Sequence, residues 1–299
     1  MGTTWSATIY AASEPAGLKK ALQSAVQEVD RIASTWNPAS DLMRLNAAPL
    51  DIWVALPPRL ITILETALQI GRNTGGAFDI ALGDAVNAWG FGPLRADPDR
   101  IRTARVAIRQ PAHDRLQLDP GTSRARKLGP LQLDLSGIAK GYGVDRLTET
   151  LQDHGLTAGL LCIDGEVRAL GTRSDGSGWT IAVEQPVHTN RAPHSMLALD
   201  NVAVATSGDY RHWVRVGKRL LSHTINPRTG APLTDGPASV TVMAPTCSMA
   251  DALASALMVM GMDQGADFAA AQGIDALFLA RDGSEVRSIP VGPVFGAIG

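Results

Sequence analysis

Aromatic residues make up only 5% of this sequence, and only two of its 299 residues are cysteine, Cys162 and Cys247. Two thiols cannot build a disulfide scaffold, a zinc ribbon or an iron–sulfur site without other ligands. No run reaches the roughly 18 uncharged apolar residues of a membrane span. The best candidate, around ALASALMVMG, is much shorter and follows Asp251. Charge of one sign is lacking too: 27 Lys and Arg stand against 29 Asp and Glu, a net charge of −2. No global field is therefore available to hold nucleic acid or an anionic membrane surface. Missing as well are G-x-x-x-x-G-K-[ST], a G-x-G-x-x-G after a strand, H-E-x-x-H and G-x-S-x-G, so standard nucleotide, zincin and α/β-hydrolase readings lose most of their weight. There is no leader with a basic start and apolar middle, so the chain is either cytoplasmic or has had a leader trimmed away.

What is present is globular: 45% apolar and 19% charged residues, enough for a sizeable core. The start MGTTWS fits a myristoylation pattern, but TTWSATIYAA alternates like a strand, which is the simpler reading. Leu18, Leu22, Val26, Val29 and Ile32 recur at three- and four-residue spacing and predict a helix over 15–33, ended by the break at Pro38. Pro57, Pro58 and Gly75-Gly76 bracket a second helix over 57–73. Short β-like runs, RVAIR and RLQLD, fall within 94–130. LQLDLSGIAKGYGVD reads as a strand, a glycine turn and a helix from about Ala139. Strands follow at GLLCIDGEVRALG, WTIAVEQ, SMLALDNVAVATSG and WVRVGKRLLSHTINP. Helices at 249–260 and about 263–272, then strands at 275–280 and 285–289, complete the chain. Helices and strands are mixed without strict alternation and without an evident linker. The expectation is one α+β domain over 1–299.

Four segments offer chemistry. In LDLSGIAKGYGVD a strand runs through Ser-Gly into a helix start, where free amides and Lys140 suit a pyrophosphate; a plain turn with a solvated lysine is the alternative. In APTCSMADALASALMVMG, Asp251 and Ser255 are four apart on a helix, so their oxygens share a face and suit Mg²⁺. Spacing alone favours another role for Asp251, as partner of Ser248 in a capping box. In LLSHTINPRTGAPL, His223 stands at a strand end as proton carrier or hydrogen-bond donor, with Arg228 and Thr229 in the turn behind it. Ser207 and Asp209 in TSGDYRHW allow a Ser–His–Asp hydrolase on paper, without the elbow motif that would support it. In STWNPASDLMRLN and GGAFDIALGDAVNAWGFG, Trp36, Phe78 and Trp89 sit among turn residues, available to stack on a flat heterocycle or, more simply, to fill a core.

Together and in this order, MGTTW, STWNPASDLMRLN, GGAFDIALG, DLSGIAKGYGVD, TSGDYRHW, SHTINPRTG and MADALASALMVMG resemble the flavin transferase family known as ApbE, whose members are FAD:protein FMN transferases. The resemblance covers most of the chain. It implies an α+β fold related to the T-fold, FAD as substrate, Mg²⁺ as the required ion and an acceptor protein that receives FMN on Thr or Ser. It assigns the metal to the main-chain carbonyl of Ala139 and the side chains of Asp251 and Ser255. Flavin or pyrophosphate contacts fall to Met1, Trp36, Ala77, Phe78, Asp79, Ser136, Lys140, Thr224 and Ile225, with His223 beside the reacting phosphate. The family usually has Thr where Ser255 stands, Asp where Asn226 stands and Gly-Gly where Asp164-Gly165 stands. Family members commonly act outside the cytoplasmic membrane on redox-complex subunits, which implies a periplasmic or membrane-anchored setting if a leader was removed. Two alternatives are an FAD pyrophosphatase, with water as acceptor, and a flavin carrier without turnover.

Overall fold

The computed structural model describes residues 2–11, 13, 15–187, 192–210, 213–216, 219–283 and 285–297. In chain order its elements begin with β1 (Trp5–Ile9), α1 (Leu18–Ala33), α2 (Asp41–Ala47), β2 (Val54–Ala55), α3 (Pro58–Asn73), α4 (Gly83–Ala88), α5 (Pro98–Val106) and α6 (Ala112–Arg115). Next come β3 (Leu116–Asp119), β4 (Arg124–Lys127), α7 (Ala139–Asp153), β5 (Gly159–Ile163), β6 (Glu166–Leu170), β7 (Trp179–Glu184), β8 (Pro193–Leu199) and β9 (Ala203–Gly208). The rest are β10 (Trp213–Val216), β11 (Arg219–Ser222), β12 (Ile225–Asn226), β13 (Ala231–Pro232), β14 (Ser239–Ala244), α8 (Cys247–Met260), α9 (Met262–Gln272), β15 (Asp275–Asp282), β16 (Glu285–Val291) and α10 (Gly292–Gly296). The mixed α+β expectation holds.

The elements form two compact units, each assembled from separated stretches: 1–28, 140–211 and 236–299 in the first, 29–139 and 212–235 in the second. The first unit is built on a seven-stranded sheet in the order β1-β5-β6-β9-β14-β15-β16, every neighbour antiparallel. Alternation along the strands gives it two apolar faces. Leu161 and Ile163 pack with Leu18, Leu22, Val144, Leu147 and Leu151 from α1 and α7. Val167, Ala169, Val204, Leu277 and Leu279 point the other way, to Trp179, Val183, Leu197 and Leu199 of the β7–β8 hairpin and Phe295 of α10. Asp164 and Gly165 both have positive φ, 51° and 101°, which closes β5 and β6 into a two-residue hairpin of the kind that matches strand twist.

The second unit carries α2 to α6, a three-stranded sheet in the order β2-β4-β3 and the hairpins β10–β11 and β12–β13. Here α3 starts at Pro58, as its punctuation predicts, and buries Leu60, Ile61, Ile63, Leu64 and Leu68. Three details differ from the sequence reading. The break at Pro38 is followed at once by α2, capped by Ser40, whose side chain accepts from the Met43 amide. Arg105 and Val106 of RVAIR close a helix, because Asp97 caps it and Pro98 opens it. Residues 131–135 pair with no strand; the Leu133 amide bonds to the Asn46 side chain and the Asp134 amide to the Ile80 carbonyl.

Candidate functional site

In the first unit, α7, β6, β9 and α8 bring together the charged and hydroxyl groups. α8 begins at Cys247, and its cap is Thr246, whose hydroxyl accepts from the Met249 amide. The capping box that spacing alone favoured is absent: Ser248 is already inside the helix, so Asp251 is not its N3 partner. Asp251 is nearly fully buried, and its Oδ2 accepts from the amide of Gly141 on α7 at 3.0 Å. That approach needs glycine, because a Cβ at Gly141 would lie 2.6 Å from the Cys247 carbonyl carbon and 2.8 Å from the Ser248 amide. One turn along α8, the Ser255 hydroxyl is 3.2 Å from that of Ser207 on β9.

Lys140, beside Gly141, ion-pairs with Glu166 at 2.6 Å. Glu166 is 2% exposed, and its second oxygen, Oε2, has no hydrogen-bond partner among the described residues. Burial pushes the Glu166 carboxyl up to about 8, against the pull of the Lys140 ammonium. Burial also raises Asp251, with Lys140 and the Gly141 amide opposing. For Lys140 itself burial works against the charge, but Glu166 and Asp251 outweigh it and hold the ammonium protonated above its ordinary range. Two buried carboxylates thus share one cation, and more positive charge would be welcome there.

Asp145, one turn beyond Gly141, fixes this arrangement. Its two oxygens accept from the amides of Cys247 at 2.8 Å and Ser248 at 2.9 Å, and Arg168 reaches it at 2.6 Å. A carboxylate on the first amides of α8 satisfies donors that the helix cannot use and complements its dipole. Neither Asp145 nor Glu166 was singled out by the motifs. The available signal for Glu166 was a carboxylate in a short strand run, GEVRAL, whose only other charged residue is Arg168. Asp209, offered above as part of a hydrolase triad, is taken by Arg281, and Ser207 by Ser255.

The other predicted site residues lie in the second unit, apart from Met1, which is outside the described residues. Trp36 is 63% exposed, in the bend before α2. Phe78 and Trp89 are buried, the indole of Trp89 donating to the Gly230 carbonyl at 2.8 Å and its ring packing with Ala85, Ala88 and Ala104. Ala77 and Asp79 flank Phe78; Oδ1 of Asp79 accepts from the amides of Ala81 and Ala112, and burial raises its pKa. Ser136 is exposed and its amide bonds to Asp134, three residues before Ala139 opens α7. His223 and Thr224 are half-buried at the end of β11, where the Thr224 carbonyl accepts from the Leu233 amide. Ile225 is buried against Trp89, Ala85 and Ala104.

The sequence profile described as the ApbE family matches residues 1–278. The chain belongs to the ApbE family. Among curated ApbE-like relatives, an FAD:protein FMN transferase of Vibrio cholerae is 35% identical over 290 residues, spanning 94% of this chain and 85% of that one. The protein of the same name from Escherichia coli is 31% identical over 297 residues, spanning 96% and 84%. Of solved structures, the flavin transferase ApbE from Vibrio cholerae superposes with a TM-score of 0.87 at 32% identity, covering 100% of this chain and 96% of the other. The apo flavinyl transferase ApbE from Pseudomonas stutzeri does so with 0.86 at 33% identity, covering 99% and 94%.

The donors around Asp251 fit the ion that the family implies. They are hard oxygens, the Asp251 carboxylate and the Ser255 hydroxyl one turn along α8, and no three His, Cys, Asp or Glu side chains converge as an all-protein cage among the described residues. Mg²⁺ is commonly held this way, by one or two carboxylates with water and substrate phosphates completing the octahedron.

Proposed function

We propose that this chain transfers FMN from FAD to a Thr or Ser hydroxyl of an acceptor protein and releases AMP, in a Mg²⁺-dependent reaction. The observation that carries the reading is the buried Asp251 carboxylate, one helical turn from the Ser255 hydroxyl and within the field of Lys140, in a chain aligned over nine-tenths of its length with transferases of that name. Asp251, Ser255 and the carbonyl of Ala139 are the proposed ligands. Bound there, Mg²⁺ supplies positive charge against the charge that develops on the pyrophosphate oxygens.

The chain's own groups account for the rest. The acceptor hydroxyl oxygen bonds to the FMN-side phosphorus of FAD, the bond from that phosphorus to the bridging oxygen breaks, and AMP leaves with the electron pair. Lys140, held ionised by its carboxylate neighbours, stabilises the departing phosphate. His223 takes the hydroxyl proton, a role worth about 10²–10⁴-fold. Positioning outweighs it, because phosphoryl transfer asks for little covalent help. Trp36, Ala77, Phe78, Asp79, Ser136, Thr224 and Ile225 are assigned to FAD contacts on the family resemblance.

The test is the intact mass of a candidate acceptor after incubation with the chain, FAD and Mg²⁺. An acceptor heavier by one FMN supports the transferase. Free FMN with AMP and an unmodified acceptor indicates a pyrophosphatase, and unchanged FAD a carrier.

A further inference from the structure

The Ser207–Ser255 contact is a pair of neutral hydroxyls in which either oxygen can donate. β9 runs beneath α8: Ala205 packs with Ala250, and Ser207, two residues on, shows the same face of the strand. Small side chains allow the close approach, since Ala250 and Ala254 are both fully buried. A helical serine is free to turn its hydroxyl back onto the carbonyl one turn earlier, here that of Asp251, which would aim its hydrogen into its own helix. Ser255 has instead an oxygen partner across the gap, on the strand.

A hydroxyl that ligates a cation uses a lone pair and must send its hydrogen elsewhere. We infer that Ser207 is the positioning residue that accepts this hydrogen, fixes the Ser255 rotamer and leaves the Ser255 lone pair aimed at the cation. Ser207 itself does not touch the ion. Partners of this kind typically govern 10–100-fold in metal affinity. The inference rests on the metal reading proposed above, and the two are separable by experiment.

The experiment is a titration of Mn²⁺, as a paramagnetic stand-in for Mg²⁺, into the whole chain with FAD present and no acceptor, read by electron paramagnetic resonance and corrected for Mn²⁺ bound to FAD alone. Expected are a loss of about 10-fold in affinity for Ser207→Ala, a loss at least as large for Ser255→Ala, and a double variant no weaker than Ser255→Ala, because Ser207 acts through Ser255. Ser207→Thr keeps the hydroxyl on a strand that suits a β-branched residue, and should bind within about 3-fold of the parent. If Asp251→Ala abolishes binding but Ser207→Ala leaves it unchanged, the inference fails while the metal reading stands. Fully additive losses for the two serines, or equal losses in Ser207→Ala and Ser207→Thr, also overturn it. If the parent binds no Mn²⁺, or Asp251→Ala binds as the parent does, both fall.

Discussion

The ammonium of Lys140 lies 2.6 Å from Oε1 of Glu166, a carboxylate that is 2% exposed and whose other oxygen has no partner among the described residues. The pair places one positive charge beside Asp251 and, where Glu166 is ionised, sets a buried negative charge against it. Removing one partner of such a pair is far more costly than removing both.

Above about pH 8, where Glu166 is ionised, Lys140→Met should therefore destabilise the chain by roughly 3–5 kcal/mol in urea unfolding, because it leaves that charge buried and uncompensated. The double variant Lys140→Met with Glu166→Leu should recover most of that loss while remaining inactive. Equal instability in the single and double variants would show that the charge is not the cause.

The same carboxylate sets a pH dependence. Its folded-state pKa, about 8, lies above the ordinary 4.5. Between those values the folded chain keeps a proton that the unfolded chain has released, so this contribution to stability is complete below 4.5 and is lost as pH rises through about 8. With metal chelated, the urea midpoint of the parent should fall between about pH 5 and pH 8 relative to that of Glu166→Gln, which has no proton to lose. Parallel curves would contradict it.

Gly141 is a packing requirement. A Cβ there would meet backbone atoms of Cys247 and Ser248, at 2.6 and 2.8 Å, and backbone cannot swing aside as a side-chain end can. Gly141→Ala should cost about 3 kcal/mol, the upper end for overpacking, and should weaken metal binding by displacing the amide that holds Asp251. Thermal unfolding with and without Mn²⁺ separates the two effects.

Thr246 gives a bounded control. As the cap of α8 its hydroxyl accepts from Met249, so Thr246→Ala should cost about 1 kcal/mol, and Thr246→Ser close to nothing. An equal loss for both variants would mean that the methyl, and not the cap, is what matters.

Long periodic or well-punctuated elements were readable in the chain. α3 falls between its prolines and Gly75-Gly76 as punctuation puts it, whereas the run GLLCIDGEVRALG, read as one strand segment, is split by the turn at Asp164-Gly165 into β5 and β6. RVAIR misled because its alternation is short, whereas the Asp97 cap and Pro98 act on the backbone directly. At the site, the four-residue spacing of Asp251 and Ser255 was visible, but its meaning was not. Ser248 and Asp251 make a plausible capping box in one dimension, and only the approach of α7 shows the carboxylate taken by Gly141, with Thr246 as the cap. Glu166, Asp145 and Ser207 act through partners 26, 102 and 48 positions away. No local pattern encodes such pairings, since antiparallel register and helix docking decide them.

The most direct test of the account is AMP release by Asp251→Asn, a change that keeps side-chain shape and removes the charge, measured with FAD, Mg²⁺ and an acceptor protein alongside the unaltered chain. Loss of a metal-holding carboxylate should remove several kcal/mol of transition-state stabilisation, lowering the rate by at least about 10²-fold with the fold intact. A rate within a few-fold of the parent would contradict the claim that Asp251 holds the ion on which the transfer depends.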